Sequence, residues 1–441
     1  MKKGIKSRIS AILSLDKIYY SHWDSADAVD TFSQKYALDD RSRTFALEII
    51  FGVLKNLKFL DYILKNFLAT GKYPSKKCAM AIRAGAFQIA FMNVPDYAAV
   101  FSTVEALKSL KRHKREISLA NAVLRKFAEK WKDVKFPDDS VKKLSLKYSH
   151  PEWLVKRWLG RFGEDFTEKF LAANNENPPK YFRINILKIS PENFIAQMER
   201  EGYSFQRTIF SEYFELRDRI SAANFKPFRE GLVSVQDCAF AIPVRVLSPC
   251  ADERVLEIGA APGGKTAQIA EILQGDVENF FAIDIIHKRN NLIVQNFRRL
   301  GINIPNIITG NGKKSPFRNG MFHKILIDAP CSSLGVLRRH PEIRWRRHER
   351  DLKKFAKIQM RMIYEASRLL KSGGMLVFST CTTEPEENEY AVKTIIALGM
   401  KILKIQNSTI PEKFLGDGGR VIRTFPHRDN LDGSFTVVAR K

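Results

Sequence analysis

The sequence predicts an α/β protein in two regimes: an all-helical N-terminal region and, after a short mixed segment, a mostly parallel sheet covered by helices. Three observations predict it. From Ile5 to about Trp131, apolar residues recur at three- and four-residue spacing, the signature of amphipathic helices. From Gly231 onward, short β-rich runs alternate with helical stretches, as expected where strands are joined by helical crossovers. The glycine-rich run VLEIGAAPGGKT opens that alternation, and it reads as a strand turning sharply into a helix.

The helical region is clearest in RTFALEIIFGVLKNLKFLDYIL and CAMAIRAGAFQIAFMNV. Asp39 or Asp40 before the first run, and Asp96 after Pro95, are suited to start helices because a short acid can accept from orphan amides. Gly71 and Pro74 interrupt the pattern, and KFPDD around Pro137 reads as a linker. Residues 1–140 are therefore assigned to a helix bundle. Residues 141–228 mix helical runs such as LVKRWLGRF with strand-like YFRINIL, and read as a small α+β connector. Residues 229–441 hold the strand candidates VLEIG, NFFAID, NIIT, KILID, MLVFST and FTVVAR. No internal repeat or low-complexity tract is visible.

Composition narrows the function. The 441 residues carry a formal charge of +25, which points to a polyanionic partner, nucleic acid first. No stretch reaches the about 18 consecutive apolar residues of a spanning helix, so no membrane partner is expected. The N-terminus has no continuous apolar core or small-residue cleavage site, which argues against a signal peptide. Five cysteines, odd in number and widely spaced, argue for a reducing compartment. Without CxxC or HExxH, no metal is expected. Cys78, Cys238 and Cys250 read as small buried hydrophobes.

Cys331 and Cys381 read differently. Each closes an apolar strand-like run, KILIDAPC and MLVFSTC, and open α/β sheets bind ligands outside the carboxyl ends of their strands. One edge would thus receive Asp328, Cys331 and Cys381 together. GAAPGGKT, from Gly259 to Thr266, also satisfies the Walker A pattern, and Asp328 could end a Walker B strand, so a P-loop ATPase acting on nucleic acid stands as an alternative. Two features oppose it. Asp284 ends a strand about twenty residues after the glycine turn, where an acid reaches ribose hydroxyls, and phosphoryl transfer has no use for thiols.

VLEIGAAPGGKT, IDIIHKRNNLIVQNFRRLG, LIDAPCSSLGVLRRHPEIRW and LVFSTCTTEPEENE follow one another as do the motifs of S-adenosylmethionine-dependent RNA cytosine-C5 methyltransferases. With RAGAFQIAFMNVPDYAAVFSTVEALK and ISLANAVLRK resembling a NusB-like helical domain, nearly the whole chain resembles the RsmB/Sun family. The resemblance implies a Rossmann-like class I methyltransferase domain behind an all-α NusB-like RNA-binding domain and a small α+β connector. It implies S-adenosyl-L-methionine as cofactor, small-subunit (16S) ribosomal RNA as partner, and a cytoplasmic monomer. A transfer RNA substrate is the alternative within the same chemistry.

By that resemblance Cys381 is the nucleophile that adds to C6 of cytosine, Cys331 assists product release, Asp328 contacts N3, and Lys265 organises the site by its charge. Ala260, Ala261, Pro262, Gly263, Gly264 and Lys265 would cradle the cofactor, with Asp284, Arg289, Asn311 and Asp328 completing its contacts. Arg338, Arg339, Arg344 and Trp345 follow the Cys331 loop and combine phosphate-neutralising charge with a ring for base stacking. The KRHKR run from Lys111 to Arg115 is a second RNA-contacting candidate. Four positions in three places depart from the family pattern: Glu257 and Gly259 stand where Asp and Cys are common, Asn311 stands where an acid is usual, and Ser434 lies in DGSF where DGFF is usual.

Overall fold

Several helices begin where a short polar side chain precedes an apolar repeat. In the computed structural model, which describes residues 3–218, 220–405 and 410–441, Asp39 accepts from the amide of Ser42 at 2.9 Å and opens helix Asp40–Leu64. Asp24, Ser75 and Asp139 cap helices Ser25–Lys35, Lys76–Phe91 and Ser140–Lys147 in the same way. Each such cap stabilises its helix by about 1 kcal/mol. Pro95 and Asp96 start helix Asp96–Ser109.

The chain divides into two units, residues 1–176 with 337–347, and residues 177–336 with 348–441. The first unit is helical and is built around Lys76–Phe91, whose residues from Cys78 to Ile89 are all buried. Small residues let its neighbours approach closely. A Cβ added at Gly52 would lie 1.9 Å from the Phe87 ring, and one at Gly85 would lie 2.6 Å from Leu124, so larger residues there would overpack the core by about 1–3 kcal/mol. The unit runs past the linker around Pro137 and takes in helices Ser140–Lys147, Glu152–Phe162 and Glu164–Ala173. Lys58 explains part of this. Its amide donates to Ser149 Oγ at 2.7 Å, and its ammonium donates to Ser145 Oγ at 2.6 Å and Glu152 at 2.8 Å.

The second unit begins with a four-stranded antiparallel sheet in the order β2-β3-β1-β4: β1 (Tyr181–Ile184), β2 (Phe205–Arg207), β3 (Tyr213–Leu216) and β4 (Val233–Val235). Helix Pro191–Arg200 covers it, burying Phe194, Ile195 and Met198 with Phe182, Phe214 and Phe225. This is the α+β connector.

The large sheet comes next, and all six of its predicted strands are present: β5 (Val255–Ile258), β6 (Phe280–Asp284), β7 (Asn306–Thr309), β8 (Phe322–Asp328), β9 (Leu370–Thr380) and, after β10 (Lys401–Ile402), β11 (Leu415–Gly416) and β12 (Val421–Thr424), the last strand β13 (Ser434–Arg440). The order is β11-β12-β13-β9-β8-β5-β6-β7, with β10 on β13. The stretch from β7 to β9 is parallel. FTVVAR instead enters antiparallel to β9 and β12, the turn at Pro426–Asp429 sending the chain straight back along β12. The sheet is therefore mixed rather than mostly parallel. Register aligns the strand ends: Ile258 pairs with Ile327 and Ile283, and Asp328 pairs with Ser379. The carboxyl ends of β5, β6, β8 and β9 thus finish in one row.

Candidate active site at the carboxyl edge of the sheet

The loop after β5 runs through two glycines with positive φ, Gly259 at +87° and Gly263 at +101°. A Cβ on Gly259 would sit 2.3 Å from the carbonyl oxygen of Asp328, so the loop touches β8 only because no side chain intervenes. Gly259 and Ala260 donate to the carbonyl of Ile283, and Thr266 Oγ1 donates to Ala260 O at 3.2 Å. Helix Gly264–Ile272 starts there and directs its first amides at the loop.

Asp284, at the end of β6, is 5% exposed. Its Oδ2 accepts from Ala261 N at 3.2 Å and its Oδ1 from Ile286 N at 3.0 Å. Arg289 stands 3.8 Å from that carboxylate and donates to Ala261 O at 2.5 Å. Asn311 is exposed, and its Oδ1 accepts from Lys313 N at 3.0 Å. Beneath the loop, Glu257 is fully buried and neither carboxylate oxygen has a hydrogen-bond partner. Burial pushes its carboxyl up to about 8, and Asp328 and Asp284 push the same way against Thr266 and Lys265.

Lys265 does not point into the loop as a phosphate-binding lysine would. Its ammonium donates to Asp328 Oδ2 at 2.7 Å and lies 5.0 Å from the centre of the Phe240 ring. Burial disfavours the ammonium, but the charge and hydrogen bond of Asp328 outweigh that and raise the Lys265 pKa. The Walker-type reading therefore loses its central contact.

Beside this pair, Cys331 Sγ and Cys381 Sγ are 3.2 Å apart. Ser333 Oγ is 3.5 Å from Cys381 Sγ and 3.9 Å from Cys331 Sγ. The two thiols are unlike. The hydrogen bond from Cys331 lowers the pKa of Cys381, with Ser333 and Lys265 helping against burial and Asp328. Cys331 is raised by that same hydrogen bond, then by burial, the Cys381 charge and Glu387. Of the two, Cys381 is the one shifted in the direction that favours thiolate.

The loops bearing the thiols are tied together. Ser332 Oγ and Thr382 Oγ1 are 2.7 Å apart, and Gly335 N donates to Cys381 O at 3.0 Å. A Cβ on Gly335 would meet Gly433 O at 2.2 Å, which brings the DGSF turn against the Cys331 loop, while Ser434 Oγ pairs with Thr424 Oγ1 at 2.8 Å. Sequence reading missed Glu387, Gln359, Ser333 and Phe240. Ser333 and Glu387 lie within the cysteine-bearing motifs, but nothing in their spacing marks them.

The arginine-rich segment needs correction. Residues 337–347 cluster with the helical unit. Arg344 is fully buried, donating to Ser149 O at 3.2 Å, Asn175 Oδ1 at 2.8 Å and Asn174 O at 3.1 Å, and burial lowers its pKa to about 9. Trp345 Nε1 donates to Leu54 O at 2.8 Å and its ring packs on the helical core. Arg338 is buried and Arg339 is half-buried. Arg344 and Trp345 are thus occupied within the protein and do not offer an open stacking and phosphate-binding surface. In the KRHKR run, Lys111, His113, Lys114 and Arg115 are exposed, while Arg112 pairs with Glu116 at 2.7 Å. Cys78 and Cys238 are buried as expected, but Cys250 is exposed, because it lies in the turn between helix Ile242–Leu247 and β5.

Comparison with known proteins decides the family. The chain is 33% identical over 416 residues to the Bacillus subtilis (strain 168) protein named "Probable ribosomal RNA small subunit methyltransferase B", covering 92% of each chain. The chain belongs to the RsmB/F family of 16S rRNA methyltransferases. The RsmB/F profile matches residues 244–439, a NusB profile matches 6–129, and the ferredoxin-like domain of RsmF/B-type methyltransferases matches 150–214. The Klebsiella pneumoniae ribosomal RNA small subunit methyltransferase B is 32% identical over 406 residues, 90% of this chain and 91% of that one. Among solved structures, PH0851 superposes with a TM-score of 0.85 at 26% identity over 100% of this chain and 98% of that chain. NSun6 from Pyrococcus horikoshii, solved with the S-adenosylmethionine analogue SFG, superposes at 0.59 and 26% identity, covering 66% of this chain and 98% of that one. The NusB helical domain, ferredoxin-like connector and methyltransferase domain of the RsmB/F family are therefore present in the predicted order. Among the described residues, no helix is long and apolar enough to cross a membrane, and no group of three or more His, Cys, Asp and Glu could hold a metal ion.

Proposed function

We propose that this RsmB/F-family member methylates C5 of a cytidine in small-subunit (16S) ribosomal RNA, with Cys381 as the attacking thiol. The observation that carries the reading is the thiol pair: two cysteines 3.2 Å apart, one shifted toward thiolate and the other toward thiol, beside the Lys265–Asp328 ion pair.

C5 of cytosine is a weak nucleophile. Addition of the Cys381 thiolate to C6 makes a C–S bond and moves the ring's electron pair toward C5. That shift is eased by a proton at N3. Asp328 Oδ2 accepts from the Lys265 ammonium, so the pair carries a proton it can share with N3 and a cation that offsets the carboxylate charge. After C5 is substituted, a base must take the C5 proton as the C–S bond breaks and Cys381 leaves as thiolate. We assign assistance in that elimination to Cys331, 3.2 Å from Cys381: once Cys381 is bonded to C6, the Cys331 thiol gives its proton to solvent, and the resulting thiolate takes the C5 proton as Cys381 leaves.

The residues fit S-adenosylmethionine. Glu257 offers a buried carboxyl with no hydrogen-bond partner, raised to about 8 by burial, which a cationic amino acid moiety beside it would favour in its ionised form. Asp284 has each carboxylate oxygen already accepting one backbone amide, and each keeps accepting capacity for a ribose hydroxyl. The turn through Ala260, Ala261, Pro262, Gly263 and Gly264 would hold the methionine part, Arg289 steadies that turn through Ala261, and Asn311 takes the adenine-edge position. When bound, S-adenosylmethionine supplies an electrophilic methyl group.

Incubating the purified chain with methyl-labelled S-adenosylmethionine and unmodified small-subunit RNA, then digesting to nucleosides, tests the reading. Label in 5-methylcytidine is expected. Label in another nucleoside, or 5-methylcytidine formed only on transfer RNA, would overturn it.

A further inference from the structure

Glu387 lies six residues past Cys381, in the first turn of helix Pro385–Ala397. It is fully buried, and its Oε2 accepts from Ser332 N at 2.9 Å and from Gln359 Nε2 at 3.0 Å. The same Gln359 amide donates to Pro330 O at 3.0 Å. One Gln–Glu pair therefore holds the carbonyl just before Cys331 and the amide just after it. Both hydrogen-bonding partners of this carboxylate are neutral, and its Oε1 has none. Burying a carboxylate without a cation costs stability. Accepting from Ser332 N and from the Gln359 amide that also holds Pro330 O, the side chain fixes the backbone on both sides of a reactive thiol.

We infer that Glu387 is a positioning residue for Cys331. It holds the Pro330–Ser332 backbone where the Cys331 thiol meets Cys381, and so governs resolution of the covalent protein–RNA adduct rather than its formation. The inference rests on the roles proposed above for the two thiols. The Cys381 side has ties that do not pass through Glu387: Gly335 N donates to the Cys381 carbonyl, and Asn388 Nδ2 donates to Thr382 O at 2.9 Å beside the Ser332–Thr382 hydroxyl pair. Loosening Glu387 therefore leaves attack largely intact while misplacing the group that assists release, and a displacement of about 1 Å at a reacting group costs on the order of 10²-fold in rate.

The full chain is compared with Glu387→Ala, Glu387→Gln and Gln359→Ala for 5-methylcytidine turnover and for denaturation-resistant protein–RNA adduct. Expected for Glu387→Ala are accumulated adduct and turnover down by on the order of 10²-fold. Gln359→Ala should shift the same way by less, and it carries the test if Glu387→Ala does not fold. Glu387→Gln keeps an oxygen to accept from Ser332 and Gln359 and should restore most of the turnover, a rescue that a requirement for charge would not show. Unchanged adduct in both alanine variants, adduct lost together with methylation, or a glutamine variant as impaired as alanine would each overturn the inference. A second readout needs no RNA. In a Cys381→Ala background, the rate of Cys331 alkylation by iodoacetamide, followed by peptide mass, should change when Glu387→Ala is added. No methylation by the unmodified chain together with a changed alkylation rate sinks the proposed function alone. Normal methylation with an unchanged alkylation rate sinks the positioning role alone.

Discussion

Two adjacent stretches of the chain, 328–336 and 337–347, have opposite fates. The first carries Asp328, Cys331 and Ser333 to the carboxyl edge of the parallel strands, beside Lys265 and Cys381. The second, richer in charge, belongs to the helical unit and buries Arg338 and Arg344. Read by charge alone, the second stretch is the better candidate for RNA. The difference teaches that a cation next to a reactive loop has two uses, contact with phosphate or satisfaction of the protein's own carbonyls, and composition cannot separate them. Strand ends are less ambiguous, since register in a parallel sheet forces neighbouring ends into one row.

The sharpest way to break the comparison is to exchange roles within the first stretch. Cys381→Ala should abolish methylation and give no covalent adduct with RNA. Cys331→Ala should abolish turnover and yet accumulate an adduct that survives denaturing electrophoresis. The reverse pattern would move the nucleophile to Cys331 and contradict the depressed pKa of Cys381.

The second stretch should break differently. Arg344→Met removes the donors to Ser149 O and Asn174 O inside the helical unit. Leaving buried carbonyls unpaired costs about 1–3 kcal/mol each, so denaturant unfolding should show a loss of about 2–4 kcal/mol. RNA affinity of the folded fraction should hold. Affinity falling with stability unchanged would restore Arg344 as an RNA contact.

Much of this layout is legible in the sequence. The six strand runs, the cap at Asp39 and the convergence of Asp328, Cys331 and Cys381 follow from periodicity, short polar caps and the rule for strand ends. Other features are set by tertiary partners and carry no local signal. The helices between 140 and 173 read as connector, and the ferredoxin-like profile takes in those from 150 onward, yet they cluster with the helical unit, where Lys58 is bonded to Ser145 and Ser149. Cys250 resembles any buried cysteine until its turn is seen to face solvent. Glu387 and Gln359 look like ordinary helical surface residues, and only the folded Cys331 loop turns them inward.

Glu257 sharpens the contrast within the site, between a carboxylate with a cation and one without. Its carboxyl is raised to about 8 by burial, so the folded protein binds a proton that the unfolded chain, with a Glu near 4.3, has released. Between those values stability falls as pH rises, because the native state holds more protons. Glu257→Gln should therefore be more stable than the unmodified chain at pH 8, by on the order of a few kcal/mol, and the gap should close toward pH 4.5. Thermal melts at both pH values check this. A gap independent of pH would mean that Glu257 keeps its charge when folded and that an unseen donor satisfies it.

The smallest effect belongs to the exposed basic loop of the helical unit, which contrasts with the buried arginines of 337–347. Lys114 and Arg115 are exposed at the start of helix Lys114–Lys130, so replacing either by Ala should change folding stability by no more than about 0.5 kcal/mol. If they meet phosphate, each substitution lowers the dependence of log affinity on log salt by about one counterion and weakens binding alike across RNA sequences. Filter binding of small-subunit RNA between low and moderate salt measures that slope directly. A slope unchanged in the double substitution would remove this loop from the RNA footprint and leave the +25 charge to act through other surfaces.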